Sequence, residues 1–364
     1  MNLSELTTLR VGGPADRVYA PTTPGELVRT ALDVWATDDE WLLLGGGSNV
    51  VVADEGLPGS LIRVVTRGIE TLEVAGDEVV LRVQAGEPWD ALVAHTVENG
   101  LAGLEALSGI PGSSGAAPIQ NIGAYGQELA ASLVSVEFLS WDTGELLRVP
   151  VSELELGYRT SALKRGRRGL VVSIDLRLGR TGMSTVRYPQ LATALGVAFG
   201  ESLPVASVRA AVLALRAGKG MLLDAADPDS VSAGSFFTNP IVSEEFARGL
   251  PADAPRWPTE PERAAPIVAP LESFRPEDLP PIVPARRRMK LSAAWLIEHS
   301  GVPRGFRLPG SRAAVSSKHS LALVNTGDAT AAEIAELARY IQAMVLGAYG
   351  VILQPEPVLV GVQL

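Results

Sequence analysis

The sequence predicts a mixed α+β fold assembled from two differently patterned parts. Short apolar strands interrupted by glycine dominate the chain up to about Gly218, and a second α+β part with more helical spacing follows. The chain is 364 residues long, which is enough for about two or three domains of typical size. Hydrophobic residues make up 46% of the sequence, so the chain can bury a sizeable core.

Sequence patterns typical of β-strands occur early in the chain. The run WLLLGGGSNVVV, residues 41–52, consists of two apolar strands separated by three glycines, and residues 78–86 alternate apolar and polar side chains. The segment WDALVAHTVENGLAG predicts a helix with Gly100 as its C-terminal cap. A hairpin is expected to turn at residues 142–144, and residues 169–179 predict a further strand.

Helical patterns dominate the last third. They occur in VASVRAAVLALRAGKG, in KLSAAWLIEHSG and in TAAEIAELARYIQAMVLGAYG, where Thr330 and Glu333 match a capping box. We interpret the apolar stripe of the last helix as core packing. Between these elements, residues 251–284 are rich in proline and are expected to form a surface segment with little regular structure.

Composition excludes several functional classes. The net charge is −10, which argues against a broad nucleic-acid surface. The chain has no cysteine, which rules out disulfides, thiolate catalysis and cysteine-ligated metals. Its three histidines are widely separated, so we predict no metal site. We expect a cytoplasmic protein without a membrane partner, because no signal-peptide pattern and no apolar run of about 20 residues is present.

Two glycine-rich segments are candidate ligand cradles. GGGSN, residues 45–49, lies between two strands; taken alone it is more often an ordinary tight turn, and Val50 breaks the dinucleotide fingerprint. GIPGSSGAAPIQNIGAYGQE, residues 109–128, is more specific, because it has five glycines and almost no large charged side chain. Free amides and small residues suit a backbone wrapped around a flat, phosphate-bearing ligand. The alternative is a buried glycine-rich connection.

The segment SAGSFFTNP places Ser235 beside two phenylalanines, with no histidine nearby in sequence to act as a base. The chain has no G-x-S-x-G elbow, so the hydrolase interpretation fails. An isolated serine of this kind is most often a turn residue. Isolated arginine and glutamate residues, and the basic runs at residues 165–168 and 286–288, are most often solvated.

Taken together, the motifs TLRVGGPA, LGGGSN, GIPGSSGAAPIQNIGAYGQE, YRTS, GSFFTNP and QPEP occur in the order found in the UDP-N-acetylenolpyruvoylglucosamine reductases, and the sequence resembles this family from about Leu9 to about Gly361. The resemblance implies a three-lobed α+β flavoprotein with an FAD-binding region like that of vanillyl-alcohol oxidase and a C-terminal α+β substrate-binding domain. It implies non-covalent FAD, NADPH as the hydride source, and reduction of an enolpyruvyl nucleotide sugar to UDP-N-acetylmuramate for peptidoglycan synthesis.

The resemblance also assigns residues. The catalytic residues that it implies are Arg159, Ser235 and Glu356. The FAD-binding residues that it implies are Gly45, Gly46, Gly47, Ser48, Asn49, Gly112, Ser113, Ser114, Gly115, Gln120, Asn121, Gly123 and Ala124. The substrate-binding residues expected from the motifs are Tyr125, Tyr188, Lys219 and Asn239. Two positions depart from the family pattern: Thr238 stands where many members have a basic residue, and His299 stands where some members have a glutamine.

Three lobes are expected. They are residues 1–66, with strand 355–364 as a candidate addition to this lobe, residues 67–217, and residues 218–354 with the proline-rich insert 251–284. Two rival interpretations remain at this point. One is an FAD oxidase of the same broad fold that acts on another substrate, and the other is a non-enzymatic protein that keeps the fold without the flavin. Protein partners are not predicted.

Overall fold

The computed structural model describes residues 1–37, 40–259 and 287–364. Its α-helices are α1 Pro24–Trp35, α2 Trp89–Glu98, α3 Pro189–Leu195, α4 Val205–Ala217, α5 Glu244–Arg248, α6 Ala293–His299 and α7 Ala331–Tyr349. Its strands are β1 Ala15–Tyr19, β2 Glu40–Leu44, β3 Val50–Val52, β4 Leu57–Arg63, β5 Ile69–Ala75, β6 Glu78–Gln84, β7 Gly123–Ala124, β8 Gln127–Glu128, β9 Leu133–Ser140, β10 Leu146–Pro150, β11 Gly169–Gly179, β12 Met183–Thr185, β13 Ser202–Pro204, β14 Ser232–Ser235, β15 Ile241–Ser243, β16 Arg256–Pro258, β17 Arg288–Leu291, β18 Ala313–Val315, β19 Ala322–Asn325 and β20 Val358–Val360.

The N-terminal region is a parallel three-stranded sheet in the order β1-β4-β2. Helix α1 connects β1 to β2, as a parallel crossover requires. Thr23 and Glu26 cap its start reciprocally, and its buried stripe of Leu27, Ala31 and Val34 faces the core. The apolar run of β2 ends directly in the glycine segment, so this sheet edge delivers residues 45–49 to the site.

The middle region is a five-stranded antiparallel sheet in the order β10-β9-β11-β6-β5. The predicted hairpin joins β9 to β10, and β11 has the bounds expected from the sequence. Helix α2 ends one residue before the expected cap: Asn99 is the C-cap, and Gly100 follows with a φ of +65°. The inner face of this sheet forms one large core with α1 and α2.

The C-terminal region packs α7 against the antiparallel sheet β14-β19-β18. The predicted capping box of Thr330 and Glu333 is present at the start of α7. Phe236 and Phe237 are each 1% exposed and contact each other edge to face, with ring centroids 5.2 Å apart. The two phenylalanines therefore anchor the end of β14 in this core.

The two ends of the chain meet in space. Strand β20 pairs in parallel with β3, directly after the glycine segment. Asp54 accepts hydrogen bonds from the backbone N–H groups of Ala331 and Ala332 at the start of α7. These contacts join the N-terminal sheet to the C-terminal core, and they set the position of residues 354–356 beside residues 45–49.

The proline-rich segment is only partly described. For residues 260–286, the expectation of little regular structure falls outside the described residues. Its first residues include the short strand β16, which pairs with β17. Across the described ranges, none of the helices has the length and apolar character needed to cross a membrane.

Candidate active site

A cavity of about 410 Å³ lies where the three regions meet. Its walls come from the segment between β2 and β3, the glycine-rich segment before β8, the end of α4, the end of β14 and the chain before β20. Thirteen of the predicted catalytic and FAD-binding residues line it: Gly45, Gly46, Gly47, Ser48, Asn49, Gly112, Ser113, Gln120, Gly123, Ala124, Arg159, Ser235 and Glu356. The predicted substrate residues Tyr125, Tyr188 and Lys219 line the same cavity.

Four predicted residues lie behind this lining. Ser114 is fully buried and donates its hydroxyl to the carbonyl of Glu87, and a Cβ on Gly115 would lie 2.4 Å from Ala85. Asn121 donates its amide to the Glu128 carboxylate and accepts from the backbone of Ala130. These groups shape the glycine-rich segment from behind. Asn239 accepts a hydrogen bond from the N–H of Ala293 at the start of α6, so its role as a substrate contact stays a prediction.

The segment at residues 45–49 has the features of an anion-binding loop. None of its five backbone N–H groups donates to any residue that the structure describes. Gly47 has a φ of +62°, and a Cβ there would lie 2.0 Å from the carbonyl oxygen of Leu6. Successive free amides in a left-handed bend suit the phosphates of a nucleotide cofactor. The cavity therefore fits a phosphate-bearing group such as FAD.

Arg159 and Glu356 form the charged pair of the cavity. Nε of Arg159 lies 3.0 Å from Oε1 of Glu356, whose side chain is only 12% exposed. Burial raises the pKa of the Glu356 carboxyl, and the positive charges of Arg159 and Lys164 oppose that rise. Arg159 has a left-handed backbone with a φ of +52°, and it also donates to the carbonyl of Gly123. A non-glycine residue held there carries strain of about 1–3 kcal/mol, which is common at functional sites.

Backbone bonds place Ser235 beside this pair. Ser235 ends β14, and the next residue, Phe236, bonds through its N–H to Leu321 and through its carbonyl to the N–H of Glu356. The Ser235 hydroxyl makes no hydrogen bond with another described residue, so it is available to a ligand in the cavity. The two buried phenylalanines thus serve to fix a serine and a glutamate at neighbouring positions.

Basic and aromatic side chains form another part of the cavity wall. Nζ of Lys219 lies 5.7 Å from the centroid of the Tyr125 ring and donates to Gln190. The rings of Tyr125 and Tyr188 meet edge to face at 5.7 Å. Arg216 is buried, and its Nε has no hydrogen-bond partner among the described residues. This wall presents positive charge and aromatic surface to a ligand.

Sequence reasoning missed three ionisable residues that line the cavity: Lys164, Arg216 and His319. Lys164 lies five positions after Arg159, and Arg216 lies one helical turn before Lys219, so both were close to motifs that had been singled out. Helical spacing could have found Arg216, because residues three apart share a face. His319 is brought in by the turn between β18 and β19, which carries no local signal.

His319 gives the protein a pH-dependent stability. Burial lowers the pKa of His319 to about 4, and the charges of Lys219 and Arg216 add to that effect. Between pH 6.5 and 4 the unfolded chain binds a proton that the folded chain does not, so the free energy of unfolding decreases as the pH falls through this window, by up to about 3 kcal/mol. Urea titrations of the FAD-free chain should show this loss in wild type and less of it in His319→Asn.

The exposed His95 supplies the control for that experiment, because His95→Asn should keep the wild-type pH dependence. The chain is used free of FAD so that binding of FAD to the folded state does not add to the measured free energy of unfolding. Equal pH dependence in the two variants would show that other groups cause the loss.

The two departures from the family pattern lie outside the cavity lining. The backbone of Thr238 donates to the carbonyl of Gln354, which extends the pairing between the two segments that carry Ser235 and Glu356. His299 stacks on Trp295 with ring centroids 3.9 Å apart. Within the described ranges, no group of three or more metal-binding side chains is placed to hold an ion.

Comparison with known proteins identifies the family of this chain. The family model described as UDP-N-acetylenolpyruvoylglucosamine reductase, C-terminal domain, matches residues 227–360, and the one described as FAD binding domain matches residues 15–150. The chain is 58% identical over 374 residues to the UDP-N-acetylenolpyruvoylglucosamine reductase of Leifsonia xyli subsp. xyli, covering 100% of this chain and 98% of the relative. It is 46% identical to the corresponding reductase of Salinispora arenicola, and the match covers 99% of this chain and 94% of the relative.

A solved structure gives the same result for the fold. The UDP-N-acetylenolpyruvylglucosamine reductase (MurB) from Thermus caldophilus superimposes with a TM-score of 0.62 at 27% sequence identity, covering 99% of this chain and 97% of that one. The α+β flavoprotein fold and the family resemblance predicted from the sequence are thereby confirmed. Since its fold, its motifs and its full length all match, this chain belongs to the UDP-N-acetylenolpyruvoylglucosamine reductase family.

Proposed function

We propose that this chain carries out the reaction of its family, the NADPH-dependent and FAD-mediated reduction of UDP-N-acetyl-enolpyruvoylglucosamine to UDP-N-acetylmuramate. The observation that carries the proposal is the cavity's charge: among the residues that the structure describes, four basic side chains and a single carboxylate line it, in a protein of net charge −10. Such a cavity favours a ligand that bears both phosphates and a carboxylate. The reaction belongs to peptidoglycan precursor synthesis, and so to cell-wall biogenesis, cell shape and division; we place it in the cytoplasm.

The chain would hold FAD non-covalently through the free amides of residues 45–49 and the small residues of the segment at 109–128. When bound, FAD supplies hydride chemistry between NADPH and the substrate. We assign residues 1–66 and 67–217 to the two lobes that clasp it, and residues 218–354 to the lobe that closes over the substrate. The cavity's composition supports this, because side chains from all three segments line it.

Three residues would act on the substrate. Addition of a hydride to an enol ether conjugated to a carboxylate leaves negative charge on the carboxylate side and requires a proton at the other carbon. Arg159 offers a planar cationic fork to that carboxylate. Glu356, whose pKa is raised by burial, stabilises the enolic form by hydrogen bonding. Ser235 donates the proton, which a strongly basic carbanion accepts from an ordinary hydroxyl.

Lys219 binds the substrate without taking part in the chemistry. Its ammonium lies beside Tyr125 and opposes no carboxylate among the described residues, so it is placed to pair with a diphosphate. Lys219→Ala should raise the substrate KM about 10- to 100-fold, the usual loss for a hydrogen bond to a charged group. Flavin reduction by NADPH should change much less. Lys318→Ala, which removes a surface ion pair with Asp227, is the control; equal damage to both half-reactions in Lys219→Ala would indicate a structural role.

Anaerobic half-reactions test the proposed function as a whole. The protein should be yellow, NADPH should bleach it, and only the enolpyruvyl nucleotide should restore the colour in the absence of oxygen. Recovery with a different substrate would favour the oxidase interpretation. A colourless protein that cannot be reconstituted with FAD would favour the non-enzymatic one.

A further inference from the structure

Among the described residues, the groups that contact the Glu356 carboxylate do so through only one of its two oxygens. Its Oε1 lies 3.0 Å from Nε of Arg159 and accepts a hydrogen bond of 3.3 Å from Nε2 of Gln120. Among the described residues, no group donates to Oε2. The second oxygen is therefore the one available to a ligand in the cavity.

Gln120 is itself oriented by two donors. Its carbonyl oxygen accepts from Nδ2 of Asn49 at 2.9 Å and from Nζ of Lys164 at 3.4 Å. An ammonium has only donors, so Lys164 requires the carbonyl end of the Gln120 amide to face it. The nitrogen end is then turned toward Glu356. If the Gln120 amide were reversed, its carbonyl oxygen would face the Glu356 carboxylate in place of its N–H donor.

The backbone fixes Lys164 relative to Gln120. The buried Ser161 donates its hydroxyl to the carbonyl of Ile119 at 2.6 Å and accepts from the backbone N–H of Lys164 at 3.1 Å. This bridge uses main-chain atoms of Lys164 and Ile119, so replacing the Lys164 side chain leaves it in place. A change at Lys164 can therefore be interpreted through its ammonium group.

Charge supports the same connection. The charged groups that act on Glu356 are Arg159 and Lys164. The neighbouring Tyr158 phenol is itself affected by the Glu356 charge, and the other segments packed against Glu356 present the neutral amides of Gln120 and Asn49. Burial raises the pKa of Glu356, while Arg159 first and Lys164 second lower it. Lys164 is thus the second of the two cations that oppose the effect of burial.

We propose that Lys164 is a positioning residue for Glu356. Lys164 orients Gln120, which holds one carboxyl oxygen of Glu356, and the positive charge of Lys164 helps to set the charge state of that carboxyl. The inference rests on the proposed function, because it gives Lys164 a part in the same reaction. Lys164 itself makes no hydrogen bond to Glu356 among the described contacts, so its influence passes through the amide and through its charge.

The test follows the Glu356 carboxyl directly in the FAD-loaded enzyme. Protein labelled with ¹³C at the glutamate carboxyl carbon is titrated by NMR, and Glu356→Gln identifies the signal. In Lys164→Gln the Glu356 titration should move to higher pH, because a positive charge that favours the carboxylate is lost. In Lys164→Arg, which keeps the charge and the donors, it should stay close to wild type. FAD absorbance verifies that each variant is folded and loaded.

Steady-state kinetics provide the second readout. Lys164→Gln should lower kcat on the order of ten-fold, the smaller loss seen for outer-shell partners of a functional group, with less effect on the substrate KM. The pH profile of kcat should move in the same direction as the NMR titration. Lys290→Gln is the matched control, because Nζ of Lys290 lies 5.2 Å from the centroid of the neighbouring Tyr158 ring; its titration and kinetics should resemble wild type.

The proposal is overturned if Glu356 titrates at the same pH in Lys164→Gln as in wild type, or if Lys290→Gln moves it equally. Failure of the proposed function looks different: the wild-type enzyme would not reduce the enolpyruvyl nucleotide, while the Glu356 titration would still respond to Lys164→Gln. The two results can therefore be told apart.

Discussion

Ser235→Ala should slow reoxidation of the reduced enzyme by the enolpyruvyl nucleotide about 10²–10⁴-fold, which is the usual loss for a positioned acid. This corresponds to a barrier increase of about 3–5 kcal/mol. Bleaching by NADPH should keep nearly its wild-type rate, because it does not involve the enol ether. FAD content should be unchanged, because the free amides that we assign to its phosphates lie at residues 45–49. Anaerobic stopped-flow absorbance measures both half-reactions.

Two variants sharpen this test. Ser235→Cys should recover part of the rate, since a thiol is also a proton donor. Ser232→Ala removes a buried hydroxyl from the same strand, one that accepts from the N–H of Gly234 and does not line the cavity, and it should leave both half-reactions near wild type. If Ser235→Ala were reoxidised as fast as wild type, Ser235 would be only a structural residue at the end of β14.

Gly47→Ala should destabilise the protein by about 2–5 kcal/mol and largely abolish FAD binding. The new Cβ would lie 2.0 Å from the carbonyl oxygen of Leu6, which is backbone and cannot rotate away. The expected loss combines about 1–2 kcal/mol for the left-handed conformation with about 1–3 kcal/mol for overpacking. Relief of the collision would move residues 45–49, whose free amides we assign to the FAD phosphates. The ratio of flavin to protein absorbance and urea unfolding measure the two effects.

Gly76→Ala is the control that separates the cost of a left-handed backbone from the cost of a steric clash. Gly76 has a φ of +57°, close to the +62° of Gly47, but a Cβ there would meet nothing within 4 Å. This variant should lose only about 1–2 kcal/mol and keep a full complement of FAD. If Gly47→Ala matched Gly76→Ala in both stability and flavin content, the interpretation of residues 45–49 as a cradle of fixed shape would be wrong.

The elements that sequence reasoning located well are those with local signals. The bounds of β11 follow from its run of apolar residues between two glycines, and the start of α7 follows from the capping box of Thr330 and Glu333. Both depend on residues that are close in sequence. The C-terminal end of α2 was misplaced by one residue, because a glycine in the left-handed conformation follows the cap residue instead of occupying it.

The motifs located the segments that form the candidate site, but they did not determine how its side chains are arranged. A motif identifies the segment that approaches the cavity, but it does not say which way each side chain points. Asn121 and Asn239 lie in matched motifs, yet both bond to backbone groups. Arg216 was within reach of sequence reasoning through its helical spacing to Lys219, whereas His319 lines the cavity because distant elements bring it there, and no local pattern marks it. Side-chain direction is set by tertiary packing, which a single sequence does not display.

The pairing of β20 with β3 determines when the active site can assemble. Asn49 donates to the carbonyl of Glu356, and the two residues are 307 positions apart in the chain. Synthesis delivers the N-terminal segment first, so the nucleotide cradle leaves the ribosome long before the glutamate that completes it. Closing so long a connection is entropically costly and slow to search. The reactive cavity should therefore appear as one of the last events of folding, and an unfinished nascent chain would carry the cradle without the carboxylate.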